Sequence, residues 1–78
     1  MTMTAIVWSN TFCGHCEQAK NLLKQKGIEY EERNIGKDWK VEQLLEAVPN
    51  ARTVPQIFVD NKYIGNYDNL VEYFNQNH

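Results

Sequence analysis

Ala5-Ile6-Val7-Trp8 is a continuous apolar run of strand length, and beyond it Ala19, Leu22 and Leu23 recur at helical spacing. The pattern predicts a buried strand followed by a helix over residues 13–26. Glu17 near the start of that helix, and Lys24 and Lys26 near its end, complement its dipole, while Gly27 supplies the stop. Residues 28–34 alternate imperfectly and read as a second strand. Gly36-Lys37-Asp38 then breaks the pattern, with Asp38 offered as an N-cap. Val41, Leu44, Leu45 and Val48 follow the i, i+3, i+4, i+7 stripe of a second helix, ended by Pro49.

Residues 55–59 read as a third strand, Asp60-Asn61 as a tight turn and Lys62-Tyr63-Ile64 as a short fourth strand, together a β-hairpin. Gly65-Asn66 breaks the sheet. Tyr67, Leu70, Val71 and Phe74 restore the helical stripe in a terminal helix that fades into Asn75-Gln76-Asn77-His78. The order β-α-β-α-β-β-α sets a parallel βαβ unit against an antiparallel hairpin, with helices on both faces of a four-stranded mixed sheet. That is an α/β architecture, the thioredoxin fold in its minimal form. The 78 residues make one domain, 1–78, near the lower limit at which a single core holds a fold unaided.

Composition narrows the partners. Eight Lys and Arg against ten Asp and Glu give a net charge of -2 with no cationic cluster, which argues against nucleic acid or an anionic membrane surface. Met1-Thr2-Met3-Thr4 offers no cationic leader, and no apolar stretch approaches the ~20 residues of a membrane helix. The expectation is a cytoplasmic monomer whose partners are small molecules or proteins. Thiols are held reduced in that compartment, so a cysteine pair points to catalysis or metal binding before a structural staple.

Both cysteines of the chain fall in Cys13-Gly14-His15-Cys16, where the first strand gives way to the first helix. Thiol–disulfide exchange needs a thiolate, and the unsatisfied N–H groups and dipole of a helix N-terminus favour one at Cys13. Cys16, one turn further on, is placed to resolve a mixed disulfide formed on Cys13. The bland alternative is a pair of inert buried cysteines. A zinc site is weaker, since one C-x-x-C supplies two ligands and His15 and His78 are the only histidines; no metal is expected. Gly14 and His15 read as tuning residues, because an imidazole that stabilises the Cys13 thiolate makes the disulfide more oxidising. His15 as an ordinary exposed first-turn residue is the competing reading. The Trp and Tyr residues are most simply packing, and Phe12 is a candidate apolar contact for a substrate with nothing else in the sequence to favour it.

Three stretches, in order and spanning nearly the whole chain, resemble the glutaredoxin family. They are Cys13-Gly14-His15-Cys16, then Arg52-Thr53-Val54-Pro55-Gln56-Ile57-Phe58-Val59, then Gly65-Asn66-Tyr67-Asp68-Asn69-Leu70. T-V-P followed by a short strand is the most diagnostic of the three. The resemblance implies a cis peptide before Pro55, with the Val54 backbone turned toward the dithiol to pair with glutathione, and a glutathione site that draws on Arg52, Thr53, Val54 and Pro55. The alternative there is a trans proline opening an edge strand. It further implies that the backbone of Tyr67 and Asp68 holds the γ-glutamyl carboxylate while the Asp68 carboxylate takes the ammonium. Asp68 as a simple helix-start residue is the other reading.

The sequence departs from the family pattern at three places. Asn10 stands where the family usually has a lysine, leaving Lys40 or Arg52 to supply a cation for the glycine carboxylate of glutathione. Gly14-His15 replaces the commoner Pro-Tyr, and Asn66 replaces a second glycine, a change that points to a narrowed or weakened glutathione site. The leading expectation is a dithiol glutaredoxin that reduces protein disulfides and glutathionylated proteins with glutathione as co-substrate. One alternative is a glutaredoxin-like redoxin reduced by thioredoxin reductase, serving for example ribonucleotide reductase. A lower-ranked one is a carrier of a [2Fe-2S] cluster held by Cys13 and glutathione across a dimer.

Overall fold

The computed structural model describes residues 3–76, and Met1, Thr2, Asn77 and His78, including the end of the predicted tail, lie outside the described residues. The elements are β1 (Thr4–Ser9), α1 (Gly14–Gln25), β2 (Glu29–Asn34), α2 (Val41–Ala47), β3 (Gln56–Val59), β4 (Lys62–Gly65) and α3 (Tyr67–Gln76). The sheet order is β2-β1-β3-β4, with β1 parallel to β2 and the other pairings antiparallel. The α/β thioredoxin-fold expectation therefore holds, element for element.

Alternation along β1 and β3 divides the core between the two faces of the sheet. Ala5, Val7, Ile57 and Val59 meet Ala19 and Leu23 of α1 and Leu70 of α3 on one face. Trp8, joined by half-buried Ile6 and Phe58, meets Leu44 and Val48 on the other. Val7, Leu23, Ile57 and Leu70 are all 0% exposed, and each such side chain contributes about 1.5–3 kcal/mol by leaving water. The dithiol helix rests on the more heavily packed face.

Local chemistry sets the element ends. Gly27, at φ 73, follows α1, and its N–H bonds the Lys24 carbonyl while that of Ile28 bonds the Leu23 carbonyl. This is the paired closure that a left-handed glycine permits, and it takes Ile28 out of the predicted strand and into the core. Asp60 and Asn61, at φ 51 and 67, form the predicted two-residue hairpin turn, and an irregularity between Ile57 and Phe58 offsets the register of β4.

Asp38 does not cap α2. Lys40 holds the N-cap position, and its N–H donates to Gln43 Oε1 at 2.8 Å. The N–H groups of Lys37 and Trp39 both bond the Asn34 carbonyl at 3.1 Å, so the chain turns once more before the helix begins. That turn carries Trp39 edge-on to Trp8 at 5.4 Å between ring centroids, with the Arg33 guanidinium 4.4 Å from the Trp39 ring. Within the predicted apolar stripe Leu44 and Val48 are buried, whereas Val41 and Leu45 stay 48% and 40% exposed because α2 covers only a corner of its face.

Candidate active site

β1 ends at the sheet centre, and Asn10, Thr11 and Phe12 lead to α1 with Phe12 at φ 62. Cys13 is the N-cap of α1, and its Sγ accepts the Cys16 N–H at 3.1 Å. A main-chain donor aimed at sulfur at the positive end of a helix favours the thiolate there. Cys13 and Cys16 are joined in a disulfide, with Cα atoms 5.2 Å apart. Cys16 is 1% exposed beneath the partly exposed Cys13. Exposure thus separates the two sulfurs, Cys13 reachable from solvent and Cys16 covered.

The Val54-Pro55 peptide is cis, as the resemblance implied. The Val54 carbonyl oxygen lies 3.8 Å from Cys13 Sγ. An oxidised sulfur has no proton to donate, so this is a contact that becomes available to an S–H only after reduction. The loop is held from behind by a side chain the sequence reading passed over. Gln56, 6% exposed, donates from Nε2 to the Thr53 carbonyl at 2.8 Å and accepts at Oε1 from the Tyr63 hydroxyl at 2.6 Å. Both ends of a buried amide are therefore satisfied.

Two grooves flank the dithiol. One, about 260 Å³, is lined by Thr53, Val54, Pro55, Asn66, Tyr67, Asp68 and His15. It unites all the expected glutathione-site residues except Arg52, which is exposed outside its lining. His15 is exposed, and its ring stands 6.1 Å from that of Tyr67, so it walls this groove. The other groove, about 730 Å³, runs from Phe12 and Cys13 past Glu17 and Lys20 to Lys37 and Asp38. Lys40 borders neither groove, and the cations that line the larger groove with Cys13 are Lys20 and Lys37. Only the folded path of residues 35–40 brings Lys37 there.

The wall at α3 is built by two reciprocal bonds. Asn66 Oδ1 accepts the Asn69 N–H at 2.9 Å, and Asn69 Oδ1 accepts the Asn66 N–H at 3.1 Å. Asn66 thus acts as a helix cap, leaving the N–H groups of Tyr67 and Asp68 without an acceptor inside the helix. Gly65 sits at φ 122, and a Cβ there would run into Asn69, so the turn demands glycine.

Along the larger groove Lys20 bridges Glu17 and Glu32, and the buried Ser9 hydroxyl donates to Glu32 at 2.7 Å. The Lys20 hydrogen bond, working against burial and aided by Ser9 and neighbouring positive charge, holds the Glu32 carboxyl below its usual range. Burial opposes the charge on Lys20, but the hydrogen bonds and charges of Glu17 and Glu32 together raise it. Among the described residues no three His, Cys, Asp or Glu side chains group as a metal site, and no helix is long and apolar enough to cross a membrane.

The glutaredoxin family model matches residues 2–64, which include the dithiol and the cis-proline loop. The chain belongs to the glutaredoxin family. Glutaredoxin 1 of Rickettsia conorii is 35% identical over 71 residues, covering 88% of this chain and 70% of that protein. The hybrid peroxiredoxin hyPrx5 of Haemophilus influenzae is 38% identical over 68 residues, covering 87% of this chain, and the chain spans 28% of its length. Among glutaredoxins of known structure, a buckwheat glutaredoxin–glutathione complex is 31% identical with a TM-score of 0.79, covering 94% of this chain and 69% of that one.

Proposed function

We propose that this glutaredoxin is a glutathione-dependent thiol–disulfide oxidoreductase working through Cys13 and Cys16. The Cys13 thiolate attacks one sulfur of a substrate disulfide, whose other sulfur leaves and takes a proton from water. Cys16 then loses its proton and attacks Cys13 Sγ. The bond to the substrate breaks, the second substrate thiol is released, and the Cys13–Cys16 disulfide carries the two electron equivalents of oxidation. One glutathione reopens that disulfide at Cys13. A second attacks the resulting mixed disulfide and leaves as glutathione disulfide, restoring both thiols.

One observation carries this reading: Cys13 Sγ caps a helix, receives the Cys16 N–H at 3.1 Å and is already paired with Cys16. The glutathione assignment draws on the smaller groove. There Val54 and the start of α3 at Tyr67 and Asp68, whose N–H groups have no acceptor within the helix, line a common space the size of a short peptide. The buckwheat relative bound to glutathione adds support.

The test is reduction of a glutathione–cysteamine mixed disulfide coupled to glutathione reductase. Wild type is expected to turn over, and Cys13→Ser to fall by at least about a thousandfold. Wild type that is inactive in this assay yet reduced by thioredoxin reductase would replace glutathione as the reductant and leave the exchange chemistry standing.

A further inference from the structure

We propose that the larger groove receives the polypeptide of a disulfide-bearing protein substrate, with the Phe12 ring as its apolar anchor. The proposal rests on the exchange chemistry above and adds a specificity-determining residue to it. Among the described residues, three other than glycine have positive φ. Asp60 and Asn61 belong to a hairpin turn and are residue types that tolerate this region. Phe12 is not such a type, and at φ 62 it stands immediately before the nucleophile. Its side chain is 102% exposed, so the ring returns no burial to the fold for the conformation it imposes. A strained backbone that projects a bare aromatic beside the reacting sulfur fits a contact completed by a partner.

The groove identifies that partner. Cys13 lines it together with Phe12, so a chain lying there presents its disulfide to the attacking sulfur. Its rim carries Glu17, Glu32 and Asp38 against Lys20 and Lys37, and Lys20 is already shared between two carboxylates. The net negative rim suits a neutral or basic segment with an apolar side chain beside its cysteine and disfavours an acidic one. Glutathione is itself anionic, and the main-chain groups suited to it border the other groove. The two partners of the cycle thus have separate grooves, and Cys13 lines the larger one.

The experiment uses chemically prereduced full-length protein in single turnover against two probes, insulin and the glutathione–cysteamine mixed disulfide. Phe12→Ala is expected to lower the second-order rate with insulin about tenfold, the scale of one lost aromatic contact, and to leave the mixed disulfide within about twofold. Phe12→Leu should keep most of the insulin rate. Phe12→Gly relieves the backbone, so it should melt higher yet still lose the insulin rate. An insulin rate indifferent to Phe12, a parallel loss with both probes, or a loss confined to the glutathione probe would each overturn the anchor. Wild type that exchanges with neither probe would instead defeat the underlying chemistry, so the two failures are distinct.

Discussion

The Cα atoms of Cys13 and Cys16 lie 5.2 Å apart and their sulfurs are bonded, yet the two residues inhabit different kinds of structure. Cys16 is 1% exposed and is buried on α1 together with Ala19 and Leu23. Cys13 is framed by loops: Phe12 before it, the cis-proline loop across from it and a groove opening from it. The difference shows how one residue type takes two roles. In the proposed mechanism, packing suits Cys16 to act as a concealed resolver, while a main-chain donor and open space suit Cys13 to meet partners.

The largest way to break this division is at the resolver. Cys16→Ser should cut reduction of a protein disulfide by at least about a hundredfold, because the mixed disulfide on Cys13 has no internal attacker. Reduction of a glutathionylated peptide, which a second glutathione completes without Cys16, should stay within about threefold of wild type. Equal loss of both activities in a steady-state assay would show that Cys16 does more than resolve.

The core beneath Cys16 and the walls around Cys13 should also fail differently. Ile57→Ala removes a side chain that is 0% exposed and is expected to cost about 2–5 kcal/mol in urea unfolding, with Cys13 alkylation in the reduced protein unchanged at low temperature. Gly65→Ala should cost about 1–3 kcal/mol, since φ 122 strains any L side chain and Asn69 occupies the space a Cβ needs. Unlike Ile57→Ala, it should also raise KM for glutathione, because it displaces the start of α3 that walls the smaller groove. A Gly65→Ala variant with lost stability and an unchanged KM would separate that wall from glutathione binding.

How much of this was legible follows the same division. The period of apolar residues placed β1, α1, the hairpin and α3, because those elements bury regular stripes. It misplaced the start of α2, where Trp39 must first reach Trp8, and it overstated the stripe, since Val41 and Leu45 face water. The cysteine pair was readable because three residues along the chain make one helical turn in the site, whereas T-V-P, 41 residues from Cys13, was readable only through its resemblance to the glutaredoxin family. Lys37, Gln56 and the conformation of Phe12 were not, as each depends on how a loop folds back. Asn66 read as the loss of a second glycine that narrows or weakens the glutathione site, and its role as the cap of α3 was not legible.

The smallest expected effect concerns the ion network behind Cys13. Because the Glu32 carboxyl is held below its ordinary value of 4.5, chiefly by Lys20, its contribution is present above that pH and lost as pH falls through the lowered value. Lys20, raised above 10.5, contributes below that pH and loses its share as pH rises through the raised value. Glu32→Gln should therefore flatten the acid flank, losing less Tm than wild type between about pH 7 and pH 3. Parallel acid flanks would show that the network carries no pH-dependent stability.

The most direct measurement of the central claim is where glutathione disulfide reacts. Each single-cysteine variant, Cys16→Ser and Cys13→Ser, is treated at neutral pH and its adduct followed by peptide mass mapping. Cys13 should be glutathionylated at least about a hundredfold faster than Cys16, in keeping with a helix-capping, exposed thiolate against a buried thiol. Comparable rates, or faster reaction at Cys16, would contradict the assignment of attack to Cys13.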